Sequence, residues 1–505
     1  MKEIDKQTWD YAHRLFQCVA TASRPLRAEE LCEFLAFDFK AGSAPTFQVD
    51  WRSEDPEKVV LFICSTLLVV VRPLSGSPVI QFAHFSVKEY LTSSRLAETK
   101  DAISRFQVSM TPAHTIVAQA CLGVLLHLDE NITEDSLKDF PFAEYAAKHW
   151  VDHARFENVS STVQHGMKRL FDPKKCHLPV CVWIYDPMHP KRQSRPSERP
   201  EKARAAPLNY AAFYGMHDIA ASLIDEHSQD VDSRSFDNKQ TPFHVALHRR
   251  HMNVAQLLLE HGADADARDD DEYTPLLWAS LEEDLELVRF LFKHGVDAEA
   301  RDKRDFTALE RAAKRGNVEL ARILLEHGAN VDSQDMERRS PLYLASDWGK
   351  PAVAQVLLRH GADVTAQCKN LETPLHRAEN EQVARLLLEH GADANALDIK
   401  NRTPLHRASE FGRVGAARVL LEHDVDANAR DANDVAPLHL ASSPKYMNMV
   451  GRYLDVARLL LQYGSDIHAR DDEGQTPFMR TRAKKYQEMM QLLLEHGAED
   501  HRDEV

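Results

Sequence analysis

From about residue 205 onward, apolar and polar positions recur in a fixed phase. A short apolar block opened by Thr-Pro or a variant is followed by a polar gap and a leucine-rich block that often closes on Glu-His-Gly. The opening dipeptide ends at Pro207, Pro242, Pro275, Ala308, Pro341, Pro374, Pro404, Pro437 and Pro477, and the four intervals between 242 and 374 are 33 residues each. A period of that length marks a repeat architecture. Within one unit the letters predict two helices. Thr241 is placed to cap a helix opened by Pro242, which costs nothing at a first helical position. The leucines of "VAQLLLEHGADADARD" (Val254–Asp269) form the apolar stripe of a second helix, and Gly262 ends it. A lone helix pair cannot bury its own face, so neighbouring units must stack into a solenoid.

The first 200 residues follow other patterns. Helical periodicity runs over 8–23, and "RPLRAEELCEFLAF" (Arg24–Phe37) reads as a turn and a second helix. Asp55–Leu68 reads as a third helix, the start of an apolar run expected to be buried as it continues into a strand. "VVVRP" and "VIQFA" then predict two strands joined by a hairpin tip at Leu74–Ser77, the order of a winged helix. Helical segments continue through Thr111–Leu128 and Pro141–Phe156, and the proline-rich stretch Pro187–Arg204, with six basic residues, reads as a linker. The expected fold class is mainly α. Residues 1–98 form a winged-helix-like domain, 99–186 a helical connector, 187–204 a basic linker, 205–500 a solenoid of about nine repeats, and 501–505 a tail.

The repeat units resemble ankyrin repeats. "TPLHRA" stands at Thr373–Ala378 and again at Thr403–Ala408, and the resemblance covers about 205–500. It implies a surface that binds a protein ligand. The sixth unit departs by being three residues short around Glu379–Gln382, which makes it the expected weak point of the stack, and the eighth carries a seven-residue insertion within Ser442–Tyr453. The glycine expected at the hairpin tip survives only as Gly474; Lys239, Glu272, Asp305, Arg338, Leu371, Asn401 and Asp434 replace it elsewhere. Asn and Asp tolerate a left-handed backbone, whereas the others require a different turn or bear strain.

The repeats carry many potential metal ligands, but their spacing argues against a site. His261, His294, His327, His360 and His390 occupy the same point of separate units and cannot converge on one ion. The acidic run Asp264–Glu272 lacks the central glycine and distal glutamate of a calcium loop, and "CHLPVC" (Cys176–Cys181) supplies too few ligands for zinc. His244, His376, His406 and His439 read as hydrogen-bonded structural residues. Candidates for ligand contact are Tyr214, Arg249, Glu282, Arg315, Trp348 and Phe411, seven residues after the opening position, together with Trp278 earlier in its helix. Aromatic and arginine side chains are the usual anchors of protein interfaces.

The stretch "QFAHFSVKEYL" (Gln81–Leu91) brings His84, Ser86, Lys88 and Glu89 close together in sequence. Ser86 and Glu89, three apart at a helix start, have the spacing of a capping box, with Phe85 and Tyr90 or Leu91 packing beside it and Lys88 facing solvent. Together with "RPLRAEEL" and "DPEKVVLFICSTLLVVV", this stretch resembles the arm that follows the NACHT ATPase in fungal signalling ATPases of the STAND class. The resemblance covers about 8–98 and more loosely 99–186. It implies that His84 contacts a nucleotide phosphate when an ATPase is present. No G-x-x-x-x-G-K-[ST] loop occurs, and the only Gly-Lys pair, Gly349–Lys350, precedes a proline. The ATPase would therefore act in trans, or precede this chain in a longer product. The alternative is a free-standing ankyrin adaptor with an idle arm.

Composition narrows the partners further. Residues 1–204 hold 26 basic and 26 acidic side chains, so the whole net charge of −16 falls on 205–505, with 36 basic and 52 acidic. That sign repels phosphate backbones and argues against nucleic acid. The longest apolar run, Val59–Val71, is too short to span a bilayer, and "MKEIDKQTWD" has no signal-peptide core. Seven scattered cysteines suit a reducing compartment, the cytoplasm, with nuclear import through the basic linker as the alternative. Neither G-x-S-x-G nor H-E-x-x-H occurs, and no catalytic residue, metal or cofactor is expected.

Overall fold

The computed structural model describes residues 8–39, 45–48, 55–64, 66–73, 77–99, 102–190, 204–235, 237–445 and 450–499. All but the last residue of the expected hairpin tip at 74–77, most of the linker, part of the eighth-unit insertion and the tail fall outside them. The chain divides into two compact units, Met1–Asp264 and Ala265–Val505.

The first unit begins with α1 (Trp9–Thr21), β1 (Leu26–Arg27), α2 (Ala28–Leu35), β2 (Phe37–Asp38), β3 (Thr46–Phe47), α3 (Pro56–Cys64), β4 (Leu68–Val71), β5 (Val79–Phe82) and α4 (Phe85–Thr92). β4 and β5 pair antiparallel as expected, with Val70 opposite Ile80. A third strand joins them: the turn before α2 is itself extended, and Leu26 pairs with Ile80 to give the order β1-β5-β4. Glu30, fully buried, ties this turn to α2 by accepting from the Arg27 backbone N–H at 2.7 Å and from Arg24 Nη1 at 2.9 Å.

Only one side of α3 is covered, contrary to the expectation of a buried helix. Val60, Ile63 and Cys64 are buried, but Phe62 is 81 % exposed beside a cavity of about 930 Å³ lined by Tyr11, Cys32 and Leu35. An all-apolar segment gives no phase from which to tell the covered side from the open one.

A second layer follows α4: α5 (Ser94–Ala97), α6 (Met110–His127), α7 (Glu134–Leu137), α8 (Ala143–Ala154), α9 (Val159–Phe171) and α10 (His177–Ile184). α6 is central and packs on α1, α8 and α9. A glycine is required where α6 meets the β2 end, since a Cβ on Gly123 would stand 2.6 Å from the buried Phe37 ring. Two helix pairs of the repeat type complete the unit, Pro207–Phe213 with His217–Asp225 and Pro242–His248 with Met252–Glu260.

The second unit consists of further such pairs, from Pro275–Leu281 with Leu285–Lys293 to Pro477–Ala483 with Gln487–Glu495. The caps follow the sequence. Thr274, Thr307, Ser340 and Thr403 each accept from the backbone N–H three residues on, and Gly295, Gly328, Gly361 and Gly391 take positive φ after the second helix. The hairpin tips keep one left-handed turn whatever residue occupies it: φ is 60° at Glu272, 58° at Arg338 and 57° at Leu371. These side chains bear the strain rather than adopting another turn, at about 1–2 kcal/mol each relative to glycine.

The short sixth unit lacks a full first helix and has a 3-10 turn, Pro374–Arg377. Arg413, from the following unit, occupies the space: it donates to the His376 carbonyl at 3.4 Å and pairs with Glu379 at 2.7 Å and Asp347 at 3.3 Å. Burial lowers the Arg413 pKa from its ordinary value.

Candidate functional site

The variable residues at the ends of the first helices lie on one edge of each unit. In the second unit Trp348 and Phe411 each belong to a run of alternating rings and cations, the two runs together forming a ladder. Arg311 lies 5.5 Å from the Tyr273 ring and 5.7 Å from Phe306; Lys314 lies 5.6 Å from Phe306 and 5.1 Å from Trp348. Arg377 lies 6.0 Å from Tyr343 and 5.5 Å from Phe411, whose ring also meets Arg413 at 5.1 Å and Lys445 at 5.0 Å. Each such contact is worth about 0.5–1 kcal/mol where water reaches it and more once desolvated.

The local charge is not balanced. Asp347, the carboxylate beside Trp348, is held by Arg377 at 2.7 Å and by Arg413. Lys314 pairs with no carboxylate among the described residues, and Arg315 meets Glu283 only at 4.0 Å while donating to the Leu281 carbonyl at 2.6 Å. Trp348, 51 % exposed, thus stands in a patch with spare positive charge.

The sequence candidates fall into distinct settings. Trp348 and Phe411 belong to the ladder, whereas Arg315, next to Lys314, donates to the Leu281 carbonyl instead. Glu282 is exposed at its helix end, and Trp278 is half-buried one turn earlier. In the first unit Arg249 lies 3.9 Å over the Phe213 ring, while Tyr214 packs edge-on against Trp150 of α8 at 5.6 Å. Tyr214 therefore joins the first repeat to the connector helices. Its position in the repeat could not reveal Trp150 as its neighbour. Sequence reasoning also missed Lys314, Arg377 and Lys445, whose only signal was a cation placed one unit from an aromatic.

The repeat histidines have structural partners. His261, His327, His360 and His390 donate from Nδ1 to the carbonyl four residues earlier at 2.8–2.9 Å, closing the second helix. His376, His406 and His439 accept at Nδ1 from the backbone N–H three residues earlier at 3.1–3.2 Å. Their Nε2–H groups donate into the next hairpin, to Arg402, Val435 and Gln475 carbonyls at 2.9–3.1 Å. Both ring nitrogens are thus used in the neutral form. Burial lowers all three, His406 to about 4.

At the opening of α4 the expected Ser86–Glu89 capping box does not form, because the helix starts two residues earlier than that spacing requires. His84 is the cap, with Nδ1 accepting from the Ser86 N–H at 3.3 Å and lying 2.8 Å from Ser86 Oγ. Leu91 is buried as expected, whereas Phe85 is 69 % exposed and Tyr90 41 % exposed. The His84 and Phe85 rings lie 4.5 Å apart on an open surface.

No group of three or more metal-ligating side chains occurs among the described residues, and none of their helices is long and apolar enough to cross a membrane. Models of ankyrin repeats match residues 208–302, 294–368 and 366–431, and a single-repeat model matches 433–472, together just over half of the chain. The chain is 28% identical over 275 residues to the azaphilone pigments biosynthesis cluster protein L of Monascus ruber, an alignment spanning 52% of this chain and 57% of that protein. It is 39% identical over 72 residues to alpha-latrocrustotoxin-Lt1a of Latrodectus tredecimguttatus, 14% of this chain and 5% of the toxin. The chain thus spans less than two thirds of the length of either curated relative. Among solved structures, the ankyrin repeat domain of human ASB11 matches with TM-score 0.40 and 25% identity, covering 45% of this chain and all of that one. The ankyrin repeat domain of Bcl-3 matches with TM-score 0.37 and 28% identity, covering 44% and 99%.

Proposed function

The chain belongs to the ankyrin-repeat family, and on that premise we propose that it is a non-enzymatic interaction protein whose repeat groove holds a segment of a protein ligand. The observation that carries this reading is the ladder between Tyr273 and Lys445, in which exposed Trp348 meets Lys314, a cation that pairs with no carboxylate among the described residues. Helix pairs from Pro207 to Glu495 support a count of about nine units. The test uses peptides selected from a random displayed library against the full chain. Replacing Trp348 and Arg315 by Ala is expected to weaken their binding at least tenfold in fluorescence anisotropy, with the melting temperature unchanged. Unchanged affinity would remove the groove reading.

Residues 1–98 we assign to the winged-helix arm of a NACHT/STAND signalling protein, with 99–186 as connector and 187–204 as linker to the repeats at 205–500. Two observations support the arm: the strand order β1-β5-β4 behind three helices, and the open faces at Phe62, Phe85 and Tyr90, which suit contact with a further domain. On this reading His84 meets a nucleotide only when a NACHT ATPase supplies it. Titration of ADP into this chain alone should give no saturable heat, and a measurable affinity would overturn that assignment.

A further inference from the structure

The hairpin tips of the second unit carry a surface separate from the ladder. Four of the large apolar side chains most open to solvent lie on three neighbouring tips: Met336 at 63 %, Leu371 at 42 %, Leu397 at 50 % and Ile399 at 61 %. The tips are tied edge to edge by backbone hydrogen bonds, from Lys369 N–H to the Glu337 carbonyl at 3.0 Å and from Ile399 N–H to the Asn370 carbonyl at 2.9 Å. The four side chains are therefore held in one row. Leu371 is displayed from a left-handed backbone, a conformation that glycine or asparagine would adopt more easily.

Exposed cations stand beside these apolar side chains, whereas the basic tip before them, Lys303–Arg304, carries no large apolar residue. Arg338, Lys369 and Lys400 are exposed among the apolar side chains, and Arg338 and Lys400 pair with no carboxylate among the described residues. The outer tips of the same unit, Asp270–Glu272 and Asp472–Glu473, are acidic. Glu337, at 3.9 Å, meets Lys369 alone, so Arg338 and Lys400 leave the apolar row a positive excess inside a repeat region of net negative charge, which complements an acidic partner bearing apolar side chains. Packed helices stand about 8–10 Å apart, so three tips span about 16–20 Å. An α-helix rises about 21 Å over fourteen residues, which brings side chains at i, i+7 and i+14 into register with successive tips.

We propose that the row of tips formed by Met336, Leu371, Leu397 and Ile399 with Arg338, Lys369 and Lys400 docks an acidic amphipathic helix of another protein. The site is independent of the Trp348 ladder.

The probe is a fluorescein-labelled glutamate-rich helical peptide with Leu at i, i+7 and i+14, titrated against the full chain. Two control peptides replace Glu by Lys or Leu by Ser. Saturable binding of the acidic Leu peptide is expected, at least tenfold tighter than either control. Met336→Ser/Leu397→Ser/Ile399→Ser and Lys369→Glu/Lys400→Glu should each weaken it at least tenfold, with the circular dichroism melt unchanged because these side chains are exposed. Trp348→Ala should change it less than twofold. The proposal fails if no saturable binding occurs, if a control peptide binds equally, if the tip variants bind normally, or if Trp348→Ala alone abolishes binding.

Discussion

Replacing Arg407 by Ala is expected to destabilise the second unit by about 3–5 kcal/mol, the usual consequence of leaving buried charge unpaired. The Arg407 guanidinium stands between two carboxylates that water does not reach, Glu372 on the preceding hairpin and Asp398, 2.9 Å away, on its own. A third partner, Glu410, lies at 2.9 Å. The Asp398 contact is electrostatic rather than a directed hydrogen bond, since Asp398 Oδ2 and Arg407 Nε have no aligned partner. Tyr343, from one unit further back, donates to Glu372 at 2.8 Å. One side chain therefore couples three consecutive units, and in a stack held by nearest-neighbour contacts its loss should also split the unfolding transition. Urea titration followed by circular dichroism reads both effects. Glu372→Gln in the Arg407→Ala background should recover part of the loss, because it removes one stranded charge and keeps the acceptor for Tyr343. A loss under about 1 kcal/mol would show that the carboxylates find other partners.

Mild acid should draw on two buried histidines, one in each unit, and destabilise both units through them. His406 and His153 are fully buried and have pKa values held down to about 4, by burial in both cases and then, for His153, by the neighbouring His114. Their unfolded value is about 6.5. A group whose folded pKa is depressed binds its proton more readily when unfolded, so its stabilising effect is complete above about pH 6.5 and declines as pH falls toward 4. Between pH 7 and 4.5 each should cost about 2 kcal/mol. The geometry explains the direction. A proton on His406 Nδ1 would displace the Thr403 N–H that it accepts. In the first unit His153 lies 2.9 Å from His114 Nδ1 and 2.8 Å from the Tyr145 hydroxyl, a site with no room for a second positive charge. Calorimetry at pH 5.5 in buffers of different ionisation enthalpy should report proton uptake on unfolding that falls by about one proton in each of His406→Gln and His153→Gln. A midpoint that does not change between pH 7 and 5 would contradict this.

How much was legible depended on whether the partner of a residue lay within its own repeat. The Thr-Pro caps, the glycines after the second helices and the structural histidines all make local or strictly periodic contacts, and spacing alone identified them. The left-handed tips were legible as well, because only the backbone is involved. Features governed by a neighbour out of phase were not. Arg413 fills a gap left by a deletion in the unit before it, and Tyr214 packs on Trp150 from outside the repeats. β1 is two residues long and exists because β5 offers it an edge. The Ser86–Glu89 spacing suits a capping box, yet His84, two residues earlier, is the cap and accepts from the Ser86 N–H.

The hydrogen bonds between hairpin tips have a mechanical consequence. From Glu337–Lys369 through Asn370–Ile399 and Lys400–Ala432 to Asn433–Asp472, adjacent tips are joined by directed bonds of 2.9–3.2 Å. The opposite edge is held by apolar helix packing, which tolerates small sliding. A stretched or bent second unit should therefore keep its length along the tips and open along the helices, as a bound book opens away from its spine. The three-residue deletion and the seven-residue insertion both fall between the first and second helices, on the side that can give.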